Sequence, residues 1–287
     1  MSESESLVWQ GFTRKALDAA YNNMAAVPDS TDRLADWIGR SAALRVRMST
    51  ELDLAYGPGE RNRIDLFRCG MPNAPLLVFI HGGWWQRNSK EVFSCMAEGP
   101  LASGMDVAMV GYTLAPDARL AGIAGEITAA LDWLAARETA RTCVLSGWSA
   151  GGHLTALAMA HPFVAAGLSI SGVFDLEPIR HSYINEKLGL DAAEARDLSP
   201  AKVPPVAKPM AVAYGDTELP ELQRQSIDYG AYRAFAVAQT IVLPLPGHDH
   251  FSILEELSRP DGRLCAQALA LASPTRQQDG QSLDRAR

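Results

Sequence analysis

Ser146-Gly147-Trp148-Ser149-Ala150-Gly151-Gly152 is the stretch whose reading decides the fold. An apolar run, Thr142-Cys143-Val144-Leu145, leads into it, and an Ala/Leu-rich segment from Leu154 to Ala160 leaves it. Strand, tight turn and helix are expected, and in that setting Gly-x-Ser-x-Gly has a mechanical meaning. A serine at the apex of so sharp a turn takes a strained backbone conformation, so the residues two before and two after it must be nearly bare. Gly147 and Gly151 meet that demand. The turn exposes the Ser149 hydroxyl, and the following helix aims free N–H groups at whatever the serine attacks. A chance match is the bland alternative, and the flanking strand and helix argue against it.

Outward from this stretch, unbroken apolar runs suit strands buried on both faces. They are 75–80, 105–110, 142–145, 165–170, 209–214 and 240–245. Helical stretches separate them, most clearly Ile123, Ile127, Ala130, Leu131 and Leu134 at spacings of three and four. Ahead of these, Leu52, Leu54 and Tyr56 alternate before Gly57-Pro58-Gly59, and 63–67 alternate after it, as in an antiparallel hairpin. The pattern predicts an α/β domain over 49–272, with a mostly parallel central sheet flanked by helices. Residues 7–48 read as helix, with a cap at Thr13, the apolar spacing of Trp9, Phe12, Ala16 and Leu17, and a second helix from about Thr31. This segment, 1–48, has no partner of its own and is expected to pack on the main domain. Polar, helix-prone sequence at 174–206 predicts a small cap excursion over the sheet's C-terminal edge. The tail, 273–287, reads as disordered.

A serine hydroxyl needs a base to take its proton and an acid to orient that base. Serine, acid and histidine are expected in that chain order. Of six histidines only His248 and His250 follow the later strands. His250, which precedes the apolar run Ile253, Leu254, Leu257, is the preferred base. The acid should leave the strand ending at Tyr214-Gly215. Asp216 and Glu218 compete, and Glu218, three residues past the glycine, has room to turn back. Asp216 suits the turn itself. Phe79-Ile80-His81-Gly82-Gly83-Trp84-Trp85 ends a strand with two bare residues, which lets backbone N–H groups approach a developing oxyanion. Gly83, Trp84 and Ala150 are the expected donors, with His81 bracing the loop. Trp85, Trp148 and Phe174 are candidates for the pocket wall.

Taken together, these residues resemble the kynurenine formamidase (arylformamidase) branch of the α/β-hydrolase superfamily. His81-Gly82-Gly83-Trp84-Trp85 matches its H-G-G-x-W oxyanion motif. The likeness runs from Tyr21-Asn22-Asn23 and Val27-Pro28-Asp29, through 111–116 and 149–154, to 218–226 and His250-Phe251. It implies an α/β-hydrolase fold, a triad of Ser149, Glu218 and His250, and an oxyanion hole at Gly83 and Trp84. It also implies acyl transfer from N-formyl arylamines such as N-formylkynurenine, with no cofactor and no metal. Two positions depart from the pattern: Met24 stands where many relatives carry a basic residue, and Trp148 replaces histidine before the nucleophile. Both bear on which leaving group fits.

The bulk properties agree. A net charge of -7 over 287 residues disfavours nucleic acid and anionic membranes. The four cysteines are scattered, with no zinc spacing, as reduced thiols of a cytoplasmic protein would be. The acidic start is not expected to act as a signal peptide. The expected partner is a small aryl amide or ester, and the expected assembly a monomer or homodimer. A short-chain carboxylesterase is the alternative enzyme, and a non-catalytic binding protein on the same fold the alternative of another class.

Overall fold

The computed structural model describes residues 6–48, 50–237 and 239–273. Its first elements correct the expectation of helix from residue 7. Leu7–Trp9 (β1) and Phe12–Thr13 (β2) form an antiparallel hairpin, closed by Gln10 and Gly11 at φ of 36° and 85°. Two successive positive-φ residues suit a tight hairpin turn, and glycine takes the second without steric cost. Trp9 and Phe12, spaced as on a helix, instead meet across the hairpin at 5.9 Å between ring centroids. Helix begins with α1 (Arg14–Ala20), where Thr13 Oγ1 accepts the Ala16 N–H at 3.2 Å. Then come α2 (Asn23–Ala26) and α3 (Ser30–Arg47).

Every apolar run of the sequence becomes a strand. In chain order the strands and α-helices that follow are β3 (Thr50–Ala55), β4 (Arg63–Phe67), β5 (Leu76–Ile80), α4 (Glu98–Ala102), β6 (Asp106–Val110) and α5 (Leu120–Arg137). They continue with β7 (Cys143–Trp148), α6 (Ala150–Ala158), β8 (Val164–Ile170), α7 (Glu177–Arg180), α8 (Asn185–Leu188) and α9 (Ala192–Asp197). The chain then forms β9 (Met210–Gly215), α10 (Pro220–Val237), β10 (Thr240–Leu245), α11 (Glu255–Ser258) and α12 (Arg263–Ala272). Beyond Ser273 the expected disordered tail lies outside the described residues.

The eight-stranded sheet has the order β10-β9-β8-β7-β5-β6-β4-β3. It is parallel from β10 to β6 and antiparallel at β4 and β3. Alternation sorts the apolar side chains of each strand onto two cores. Leu76, Val78 and Ile80 of β5 join one with α1, α5, α6 and α10 residues. Leu77 and Phe79 join the other, with Trp37 and Leu44 of α3 and Leu264 and Ala268 of α12. Helices on both faces are what two-sided burial requires. At the antiparallel end, Asp53, Asp65 and Glu91 converge on the Lys90 ammonium at 2.6, 2.8 and 2.6 Å. That lysine supplies the cation such a carboxylate cluster needs.

Register decides where function can sit. Ile80 of β5 pairs with Gly147 of β7, and Trp148 of β7 with Ile170 of β8. Ile170 in turn pairs with Ala213 of β9, and Gly215 of β9 with Leu245 of β10. Five strands thus end side by side, and the loops after them carry Gly82, Ser149, Ser171, Glu218 and His250. No helix of the described residues is long and apolar enough to cross a membrane.

Candidate active site

Ser149 sits at φ 56° and ψ −117°, outside the usual region for a residue with a side chain. Such strain costs about 1–3 kcal/mol and persists only where surrounding contacts impose it. They do so here. Ser149 N–H donates to Ile170 O at 2.8 Å, and Ser149 O accepts from the His153 N–H at 3.1 Å. A β-carbon on Gly147 would lie 2.3 Å from Gly151 O, and one on Gly151 would lie 2.0 Å from Ile80 O. The bare positions are needed for space, as the motif implied.

His250 and Glu218 meet at 2.8 Å, Nδ1 to Oε2, and both are buried. A carboxylate only accepts when ionised, so Nδ1 carries the proton and Nε2 is left as the basic nitrogen. The other carboxylate oxygen of Glu218 accepts from Ser171 Oγ at 2.6 Å and from the Gly215 N–H at 2.7 Å. Three donors therefore fix one buried acid. Asp216 points elsewhere: its Oδ1 accepts the Gly247 N–H at 2.7 Å, across the turn. His248 lies 3.5 Å from Glu256 instead. Trp148 Nε1 donates to His250 O at 2.8 Å, and its ring lies 4.9 Å from the imidazole. Ser149 and His250 line one cavity, and a nucleophile–base contact typically tightens in the substrate complex.

The loop after β5 is pinned through its carbonyls. Tyr112 Oη donates to His81 O at 2.9 Å, His81 Nδ1 to Gly82 O at 2.9 Å, and the Ala115 N–H to Trp85 O at 2.8 Å. These partners give 111–116 its purpose. A β-carbon on Gly82 would lie 3.0 Å from the Ser149 Cβ and 2.7 Å from Trp148 O. Among the described residues the N–H groups of Gly83, Trp84 and Ala150 donate to no protein acceptor. Two of them lie on the cavity and the third begins α6 beside Ser149.

The cavity holds about 80 Å³ and is lined by Trp84, Trp148, Ser149 and His250 among others. Two of the pocket candidates lie outside its lining. Trp85 is fully buried and packs edge-on to His153 at 4.9 Å. Phe174 is buried and stacks on Tyr229 at 4.2 Å. Trp84 and Trp85 both take left-handed backbone, φ 54° and 59°. Trp84 lines the cavity and Trp85 joins the core. Met24, tied by its sequence position to leaving-group fit, lines the cavity too, as do Asn23, Leu34 and Phe251, for which no pocket role was expected. Trp37 of α3 stands edge-on to Trp148 at 6.1 Å, so the N-terminal segment backs this wall. Tyr21-Asn22-Asn23 was the available signal for it.

His81 and His153 are structural. His81 stacks on Tyr112 at 4.3 Å, and His153 Nε2 donates to Leu198 O at 2.8 Å. Burial pushes both down to about 4, against about 6.5 in an unfolded chain. Between pH 6.5 and 4 the unfolded chain binds protons that the folded one refuses, so stability falls as pH drops through that window. At pH 5 the loss is on the order of 2 kcal/mol per histidine. Denaturant midpoints should fall from pH 7 to pH 5, and His153→Gln should flatten the slope. An unchanged slope would contradict neutral burial of this group.

Residues 66–164 match the BD-FAE family model. The kynurenine formamidase of Salmo salar is 28% identical over 86% of this chain and 87% of its own length. That of Drosophila melanogaster is 30% identical over 72% of this chain and 77% of its own. A proposed thioesterase of Silicibacter sp. TM1040 shares the structure with a TM-score of 0.81 and 31% identity, over 87% of this chain and 97% of that one. A thermostable carboxylesterase from a metagenomic library, at TM-score 0.69 and 17% identity over 88% of this chain and 99% of that one, is alike in fold. The likeness to those relatives extends over most of the chain, which is a hydrolase of the kynurenine formamidase family, within the α/β-hydrolases.

Proposed function

We propose that this hydrolase removes a formyl or similarly short acyl group from an aromatic amine, with N-formylkynurenine as the type of substrate. The observation that carries the reading is the cavity at Ser149, small and walled by Trp84, Trp148 and Phe251. Space beside the serine suits a short acyl group, and the aromatic walls suit a flat leaving group. The names of the curated relatives support it from the side of sequence. A cytoplasmic setting fits four cysteines that all remain free thiols.

On this reading Ser149 is the nucleophile, His250 the base and Glu218 the acid that orients it. His250 Nε2 takes the Ser149 proton as Oγ attacks the acyl carbon. The carbonyl electrons move onto oxygen, which the N–H groups of Gly83, Trp84 and Ala150 receive. One such donor is typically worth about a hundred- to a thousandfold in rate. Glu218 stays ionised and stabilises the imidazolium. The imidazolium then donates its proton to the departing arylamine nitrogen as the C–N bond breaks. Water, deprotonated by His250, attacks the acyl-enzyme and releases formate.

A second reading, hydrolysis of short esters or thioesters, has one observation in its favour: the likeness to the proposed thioesterase. Ranking kcat/KM for N-formylkynurenine, p-nitrophenyl acetate and a short-chain acyl thioester separates the two. The formamide should lead by at least about tenfold, which corresponds to 1.4 kcal/mol of transition-state binding. Good ester or thioester turnover with none on the formamide would replace the first reading by the second.

A further inference from the structure

Asn22 and Asn23 are neighbours with opposite fates. Asn22 Oδ1 accepts the Ala25 N–H at 3.2 Å and caps α2. Asn23 is 4% exposed, and neither its Oδ1 nor its Nδ2 has a hydrogen-bond partner among the described residues. Its backbone is spent on the turn, donating to Tyr21 O and accepting from Val27 N–H, at 3.2 Å each. Tyr21, just before, anchors the segment: its hydroxyl donates to Glu221 at 3.2 Å and accepts from Gln225 at 2.9 Å. The same ring stands edge-on to Trp84 at 6.0 Å. The chain is therefore held so that Asn23 lines the cavity beside Ser149 and His250.

A buried amide with no partner is destabilising, and an apolar side chain of the same shape would avoid that cost. Leucine is nearly isosteric with asparagine. Asn23 also lines a cavity whose lining includes the apolar Met24, Leu34 and Trp84 together with the polar Arg87 and Asn88. Sites that hold a polar group ready in this way reject ligands that cannot pair with it. Resting on the formamidase reading, we propose that Asn23 recognises the leaving group. Its amide pairs with a carbonyl carried on the aromatic ring beside the scissile nitrogen, so ring-acylated anilines are preferred over plain ones.

The test uses the leaving amines as competitive inhibitors of p-nitrophenyl acetate turnover, so it does not depend on formamide cleavage. Wild type should bind 2-aminoacetophenone about tenfold or more tightly than aniline. Asn23→Leu should raise the Ki of 2-aminoacetophenone by about that factor, leave that of aniline within twofold, and keep or raise the melting temperature. Asn23→Ala carries the same comparison should the leucine variant fail to fold. Equal Ki values in wild type, a preference that survives both variants, or a fall in melting temperature of several degrees with both inhibitors weakened alike would overturn the proposal. Failure of the formamidase reading looks different: formanilides would not turn over, whatever the inhibitors do.

Discussion

Ser149→Ala is expected to lower kcat/KM on formanilides by on the order of 10⁵-fold, with the melting temperature unchanged or raised. The size follows from what the hydroxyl does in the proposed mechanism. Without Oγ no acyl-enzyme forms, and direct attack by water retains only what the oxyanion donors and substrate binding provide. The sign on stability follows from the backbone. Ser149 holds its strained φ through main-chain contacts with β8 and α6, not through its side chain. Alanine keeps those contacts and the β-carbon, so the fold has nothing to lose. Residual activity within tenfold of wild type would move the chemistry to another residue. His250→Ala should cost a similar amount, and His248→Ala should leave kcat within about threefold.

Glu218→Gln should lower kcat by on the order of 10³–10⁴-fold, while Asp216→Asn stays close to wild type. Glu218 accepts three hydrogen bonds in a buried site. A glutamine there can present its oxygen to Ser171 and Gly215 only by turning its NH₂ towards His250. That forces the imidazole to carry its proton on Nε2, the nitrogen that must face Ser149. The base is then occupied. Asp216 has no such role to lose, because its carboxylate receives the Gly247 N–H across an exposed turn. The opposite ranking would exchange the two acids and refute the orientation argument.

Much of this arrangement was legible in the sequence because it is set by strand ends. The apolar runs locate β5, β7, β9 and β10, and parallel register brings the residues just past them together. An elbow glycine pair, a histidine after the last strand and an acid three residues past Gly215 each have a local reason. What escaped has none. Ser171 follows β8 with no motif around it, and only the folded geometry reveals its bond to Glu218. Trp85 and Phe174 were candidates for the wall because they are aromatic and adjacent to functional loops. Which of two neighbouring tryptophans faces the cavity depends on left-handed backbone at both, which no periodicity reports. The β1–β2 hairpin was hidden by an apolar spacing that serves a helix equally well, although Gly11 marked its turn. Asn23 needed long-range packing to reach the site at all.

The central claim is that Ser149 becomes the acyl carrier, and intact-mass spectrometry with peptide mapping after exposure to a p-nitrophenyl alkylphosphonate tests it most directly. One phosphonyl group per chain, mapped to the peptide holding Ser149 and absent from Ser149→Ala, is the predicted result. Stoichiometric labelling of a different residue, with activity lost in step, would contradict it.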